Sequence, residues 1–344
     1  MSRQHASPLA IWAGILVLYV VWGSTYLGIK LGVETIPPFL MAALRFIPAG
    51  ILLAGAVAIR HRGTFRRPTL VETRDTAIIG GFLLLGGMGL VAWGEQTVSS
   101  GIAALFIALM PMWLAIFARI FFGDRLPRMA VVGIGVGLVG VAILTWPESG
   151  VEAANLDPAG VIALILSPIF WAIGSLYSQK KAVHPAPALF ATGFEMVLGG
   201  LILVVASVLT GELVGFSVDQ VSARSWFGVA YLLVVGSLVG YTTFAWLIQV
   251  APLSRVTTYA YVNPVVAVFL GWLFLDEPLS PRTLVAAVVI VAAVVLIVTA
   301  RGRATPATGR RAIDAPEAGV DVVESEAVLH GHPTPDPAPG PATR

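Results

Sequence analysis

The chain has 344 residues, of which 57% are hydrophobic and only 12% charged, with a formal net charge of +2 and no cysteine. Its mean hydropathy of +0.87 is outside the balance of a soluble domain of this length and indicates a polytopic membrane protein. Without cysteine there is no disulfide framework, thiol nucleophile or Cys-ligated metal, and so small a net charge carries no case for nucleic-acid binding.

Ten apolar segments are predicted to span a membrane, at roughly residues 10–30, 38–59, 76–94, 98–121, 129–146, 158–178, 188–209, 226–248, 256–275 and 283–300. Each is about long enough to cross a ~30 Å core at 1.5 Å per residue. A short basic stretch precedes the first span but no small-residue cleavage site follows it, so it reads as an uncleaved anchor. This span carries Trp22, Ser24, Thr25 and Tyr26, and the second carries Arg45 about seven residues from its outer end. The third ends at Glu95, and the fourth holds Pro111 near its middle. In the fifth, Gly135-Val136-Gly137-Leu138-Val139-Gly140 fits a dinucleotide-binding pattern. No strand precedes it and irregular backbone at that depth leaves amides unsatisfied, so Gly133-x-x-x-Gly137 on the same helix reads instead as a close helix-packing face.

The sixth span carries Trp171, Ser175 and Tyr177, and the seventh carries Glu195 about eight residues from its inner end. Tyr241, Thr242, Thr243 and Trp246 lie in the eighth, and Thr257, Thr258, Tyr259, Tyr261, Asn263 and Pro264 in the ninth. Beyond Ala300 there are seven prolines and no aromatic residue, so residues 301–344 are expected to form a disordered cytoplasmic tail. All five histidines fall in loops or termini, which leaves no buried general-base or metal cluster in view; no catalytic group, metal or cofactor is expected.

Shifting residues 1–145 by about 150 positions brings Gly23-Ser24-Thr25-Tyr26 onto Gly174-Ser175-Leu176-Tyr177, Ala92-Trp93 onto Ala245-Trp246 and Met110-Pro111 onto Asn263-Pro264. Five spans per copy is an odd number, so the second copy is inverted in the bilayer, a signature of secondary transporters. The expected fold is therefore all-α, with ten transmembrane helices in two inverted five-helix repeats. The first repeat spans residues 9–146, a periplasmic loop 147–157 and the second repeat 158–300. With the N-terminus inside, the inner loops and termini hold Arg3, Arg60, Arg62, Arg66, Arg67, Arg74, Arg119, Arg125, Arg128, Lys180, Lys181, Arg255, Arg301, Arg303, Arg310 and Arg311, against Lys30, Arg224 and Arg282 outside. That asymmetry predicts N-in, C-in topology. The outer loops carry Glu148, Glu152, Asp157, Glu212 and Asp219 instead.

A charge at mid-bilayer costs roughly 2.5–3.5 kcal/mol on insertion scales, so Arg45 and Glu195 are candidates for gating, charge recognition or proton coupling. Against this stand snorkelling of Arg45 to the headgroups and a protonated, hydrogen-bonded packing role for Glu195. They occupy equivalent repeat positions about 10 Å apart along the membrane normal, so Glu95 is the expected partner of Arg45. Trp22, Ser24, Tyr26, Trp171, Ser175, Tyr177, Tyr241, Thr242, Tyr259, Tyr261 and Asn263 are expected to line a cargo cavity, the alternative being an interfacial aromatic belt with interhelical hydrogen bonds. Pro111 and Pro264 are expected to kink their helices and free the carbonyls of Ile107 and Ala260.

Trp22-Gly23-Ser24-Thr25-Tyr26 with Lys30, Pro37-Pro38-Phe39-Leu40-Met41-Ala42-Ala43-Leu44-Arg45-Phe46 and Tyr259-Ala260-Tyr261-Val262-Asn263-Pro264 resemble the EamA branch of the drug/metabolite transporter superfamily. Asp276-Glu277-Pro278-Leu279 is similar to that family's Gly-Glu-x-Leu turn, with Asp for Gly, while Gly123-Asp124-Arg125-Leu126 has Asp for Glu. The resemblance implies an inner-membrane exporter or exchanger of amino-acid-like or drug-like compounds working by alternating access. Its partners would be a small-molecule substrate, membrane lipids and, as a candidate, a second copy of the chain in a homodimer. Two other classes stand beside this reading: a membrane-embedded enzyme acting on lipid or isoprenoid substrates, which wants clustered His or acidic groups, and a membrane scaffold or receptor acting through its tail.

Overall fold

The computed structural model describes residues 7–124, 126–145, 157–251, 256 and 258–304. Arg3, Arg125, Glu148, Glu152, Arg255, Thr257 and residues 305–344 of the expected tail lie outside the described residues. The described residues form helices with no strand: α1 Pro8–Gly32, α2 Pro38–Arg60, α3 Leu70–Gly94, α4 Ser100–Phe122, α5 Arg128–Thr145, α6 Pro158–Lys180 and α7 Ala188–Leu209. There follow α8, built of Ala223–Tyr231, Leu232–Val239 and Gly240–Val250, then α9 Tyr259–Leu275 and α10 Pro281–Ala304. Nine of these are long and apolar enough to cross a membrane, and α9 has 17 residues. The last helix continues through residues 301–304, which were expected to belong to the tail.

The helix starts follow from local chemistry. Proline opens α1, α2, α6 and α10, where its missing N–H costs no helical bond. Thr69 and Glu72 form a reciprocal capping box on α3, and Ser222 accepts from the Ser225 amide at the start of α8. The helix α4 ends on Gly123 at φ 70° and α9 on Asp276 at φ 51°, both left-handed. The two family-like turns thus share one backbone conformation, which Gly adopts freely and Asp tolerates.

Two irregularities occur at equivalent places in the repeats. Residues Gly81–Gly89 of α3 and Leu232–Val239 of α8 are wound as π-helix, with i→i+5 bonds. The prolines behave unequally. In α4 the helix breaks after Ile107 and restarts at Met110, with Pro111 in the first turn of the new segment, whereas α9 runs on through Pro264.

Packing repeats itself when the halves are exchanged. Helix α1 packs on α9 and α8 as α6 packs on α4 and α3, while α2 with α7, α4 with α9 and α5 with α10 pair equivalent helices. In α2 and α7, Ile47 meets Gly200, Gly50 meets Met196 and Ala54 meets Gly193, so the helices run antiparallel. A Cβ on Gly50 would lie 2.6 Å from the Gly193 carbonyl oxygen, and one on Gly193 would lie 2.6 Å from the Ala54 amide nitrogen. Gly133, Gly137 and Gly140 likewise receive Ile297, Ala293 and Ile290 of α10, so the glycine pattern in α5 is a packing face.

Overpacking costs about 1–3 kcal/mol. Gly50→Ala is therefore expected to lower the thermal unfolding temperature of the detergent-purified protein. Gly55→Ala, whose added Cβ meets nothing within 4 Å, is expected to leave it unchanged or slightly raised. Equal unfolding temperatures for the two variants would contradict the α2–α7 register.

Candidate functional site

Aromatic residues of α1, α8 and α9 converge in the interior. The Trp22 ring centroid lies 4.7 Å from Tyr259, 5.2 Å from Phe244 and 6.0 Å from Tyr241, and Phe244 and Tyr259 are 6.2 Å apart. The Trp22 indole sits against the bare backbone of Gly240, where a Cβ would fall 2.5 Å from its Nε1. Arg45 of α2 borders this cluster. It is 3% exposed, its Nε donates to Ser237 Oγ at 2.9 Å, and its Cζ lies 4.5 Å from the Phe46 ring centroid. Ser237 and Tyr241 are four residues apart on α8, so the guanidinium and the aromatic cluster occupy successive helical turns.

Several expected cavity residues do something else. Ser24 donates to the Val21 carbonyl at 2.9 Å and pairs with the Tyr231 hydroxyl at 2.5 Å, an α1–α8 contact. Tyr26 packs among Ile29, Val91 and Leu105 with its phenol toward Glu95. Trp171 lies over Gly87 of α3, and Ser175 is partly buried on the same helix. Tyr177 donates to Asp75 Oδ1 at 2.9 Å. Thr242 is exposed and donates back to the Leu238 carbonyl of its own helix. Tyr261 packs on the cluster around Phe106 and Leu109, and Asn263 is 9% exposed with Oδ1 buried and unpartnered among the described residues.

The expected Arg45–Glu95 partnership does not occur. Glu95 is fully buried at the end of α3, where it faces Lys30, Glu277 and Tyr26, while Arg45 is turned toward α8. Both Glu95 carboxylate oxygens are unpartnered among the described residues, and the Lys30 ammonium donates instead to the backbone carbonyls of Glu95 and Val98. Glu195 lies deep among the helices yet keeps part of its surface accessible, and it faces Tyr241. Arg45 and Glu195 thus both act on Tyr241, with no ion pair between them.

Both ends of the bundle are fastened across elements. At one end Glu277 accepts from the Ser100 and Gly101 amides at 2.7 and 3.1 Å, and Glu212 accepts from Phe39 and Leu40 at 3.1 and 3.0 Å. Each carboxylate thereby caps a helix of the other repeat. Ser225 at the same end donates to the Leu31 carbonyl at 2.9 Å and accepts from the Thr35 amide at 3.2 Å. At the opposite end Asp75, 150 positions before Ser225, accepts from the Val183 amide at 2.8 Å, from Tyr177 and from Arg74 at 2.8 Å. Cavities of about 470 and 310 Å³ open at the Glu212 and Glu277 end; the first is lined by Trp93, Gln96 and Glu212 among others, the second by Lys30, Glu34 and Arg224. No group of three His, Asp or Glu that would hold a metal occurs among the described residues.

Phe244, Ser237, Asp75, Ser225 and Glu212 were not singled out by their sequence context as parts of these assemblies. Only Glu277 had a visible signal, in the turn it shares with Asp276 and Leu279.

A bundle of membrane-length helices that repeats its own packing, with a buried cation beside an aromatic cluster where the repeats meet, has the architecture of a membrane transporter. The model of the EamA-like transporter family matches residues 9–146 and again 158–299, and the chain belongs to that family. It is 37% identical over 290 residues to the uncharacterized inner membrane transporter YedA of Escherichia coli K12, covering 84% of this chain and 90% of YedA. Protein PecM of Dickeya dadantii is 28% identical over 80% of this chain and 88% of its own length. A solved crystal structure shares the fold with a TM-score of 0.56 at 18% identity, over 85% of this chain and 98% of that one. The family is one of transporters and not of enzymes, and this chain is a multi-pass membrane protein.

Outside the spans, Asp157 caps α6: it accepts from the Gly160 amide at 2.9 Å, from Thr97 Oγ1 at 3.1 Å and from the Ala159 amide at 3.4 Å. The Gly160 bond, against partial desolvation and with help from Thr97, holds its carboxyl below the usual carboxylate range. A carboxyl so depressed stabilises the fold above its unfolded pKa of about 3.9 and loses that contribution as the pH falls below it. Asp157→Asn is therefore expected to unfold at a lower temperature than the parent at pH 7, with the gap closing on acidification. A pH-independent gap would contradict the assignment.

Proposed function

We propose that this chain is a secondary transporter that carries small amino-acid-like or drug-like metabolites across the inner membrane, in the export direction, by alternating access of a site between its two repeats. The family membership and the likeness to an inner membrane transporter support the location. The carrying observation for the site is the convergence of Trp22 from the first repeat with Tyr241, Phe244 and Tyr259 from the second, bordered by buried Arg45.

In this reading ten helices cross the bilayer with both termini inside, as the distribution of arginine and lysine favours. At 17 residues, α9 covers about 25 Å and crosses with slight thinning or with its flanking residues. The antiparallel packing of α2 on α7 and of α5 on α10 suits an inverted repeat. Glu195 and Glu95 then belong to gating or coupling, while cargo contacts fall to Trp22, Tyr241, Tyr259 and Asn263.

Reconstituted into proteoliposomes, the protein is expected to catalyse flux of at least one member of a metabolite panel above protein-free vesicles. Trp22→Ala and Tyr241→Ala are each expected to reduce that flux about tenfold or more, as loss of a buried aromatic anchor does. Thr242→Ala, on the exposed face, serves as the variant expected to keep full activity. Flux unchanged in both aromatic variants would remove the cluster from the cargo path.

A further inference from the structure

Among the described residues the buried guanidinium of Arg45 has no counter-charge paired with it. At 3% exposure it does not reach the surface, and the Nε bond to Ser237 together with the Phe46 ring pins it in place, which removes the snorkelling reading. Among the described residues its only hydrogen bond is that to Ser237, and the ion pairs present are Arg66–Glu72, Arg74–Asp75 and Arg224–Glu34. The two acids available on neighbouring helices are both displaced. Glu95 faces Lys30, Glu277 and Tyr26, and the antiparallel α2–α7 register sets Glu195 about seven residues, or roughly 10 Å, along the bundle from Arg45.

A guanidinium carries five N–H donors in a planar fork that matches a carboxylate with two parallel bonds. With Nε committed to Ser237, the Nη edge remains. The helix α8 presents bare backbone beside it: a Cβ on Gly236 would come within 3.3 Å of Arg45 Nη2 and 3.0 Å of Thr25 Cγ2. One turn along α8, about 5.4 Å, stands Tyr241 with the aromatic cluster behind it.

We propose that Arg45 is the anion-recognition element of the cargo site, so that the cargo carries a carboxylate seated on the Arg45 fork and an aromatic portion received by Trp22, Tyr241 and Tyr259. This rests on the transport reading and adds the chemical class of the cargo. The spacing of one helical turn suits a carboxylate separated from a ring by two or three bonds. Such an occupant supplies the counter-charge that the fold omits, so the cost of keeping Arg45 buried is recovered only when cargo is bound.

The test compares three probes of one shape on the full chain: 3-phenylpropionate, its amide 3-phenylpropanamide, and phenethylamine. A ligand that binds the folded state raises the unfolding temperature. The carboxylate is expected to stabilise the purified protein with an affinity about 10- to 100-fold above the amide, the range of a charge-assisted hydrogen-bond pair, and the amine not at all. Arg45→Lys is expected to weaken the carboxylate effect, and Arg45→Gln to make acid and amide equal. Should Arg45→Gln fail to fold, the acid–amide comparison on the parent protein decides alone. Equal stabilisation by acid and amide, stabilisation by the amine alone, or none by any probe at millimolar concentration would overturn the proposal. Counterflow in proteoliposomes separates the two readings. Equal transport of acid and amide would sink the role of Arg45 and leave transport standing, whereas selective binding of the acid without flux of any probe or panel metabolite would sink transport and leave the anion site.

Discussion

The close contact of α2 with α7 is the constraint on which the rest of this molecule depends. In a bilayer no hydrophobic force pulls apolar helices together, so association relies on packing close enough for backbones to touch. Gly50 and Gly193 allow that, with Ala54 and Gly200 extending the seam. Because the paired helices are equivalent members of the two repeats, the seam sets how one half sits on the other. It also sets the axial offset between Arg45 and Glu195, and so keeps a cation and an acid in one interior without letting them neutralise each other.

Around this seam the backbone is nearly symmetric and the chemistry is not. Both repeats wind a π-segment at the same place in their third helix, and both end their fourth helix on a left-handed residue. Yet Trp22, Tyr241, Phe244 and Tyr259 gather on one side, while Trp171 spends its ring on Gly87 and Tyr177 is tied to Asp75. Among the described residues the duplicated scaffold therefore carries the Trp22 cluster without a copy of it at the equivalent place around Trp171.

Much of this was legible in the sequence because it depends on periodicity and length. Apolar runs located the helices, a shift of about 150 residues paired them, and glycine spacing in α5 exposed a packing face. What could not be read were contacts set by rotation about helix axes. The π-segment Leu232–Val239 carries wider turns, so the face of α8 beyond it departs from a regular helical wheel. Thr242, expected inside, is accordingly exposed, and Phe244 joins Trp22 in the interior. The Arg45–Glu95 expectation failed for a related reason: depth along the membrane is countable from sequence, but the direction in which a side chain leaves its helix is not. Glu212 was hidden because it closes over a distant helix start, a contact that loop sequence alone does not encode, and the turn that marks Glu277 does not name the helix start it caps.

The fasteners at the two ends use different chemistry at equivalent positions. Asp75 gathers an amide, a phenol and a guanidinium on a carboxylate, whereas Ser225 exchanges neutral hydrogen bonds with Thr35 and Leu31. Bonds to an ionised group are roughly twice as strong as neutral ones. At the Ser225 end the ionised acceptors are instead Glu212 and Glu277, so the charged anchoring sits on one residue at one end of the bundle and is shared by two at the other.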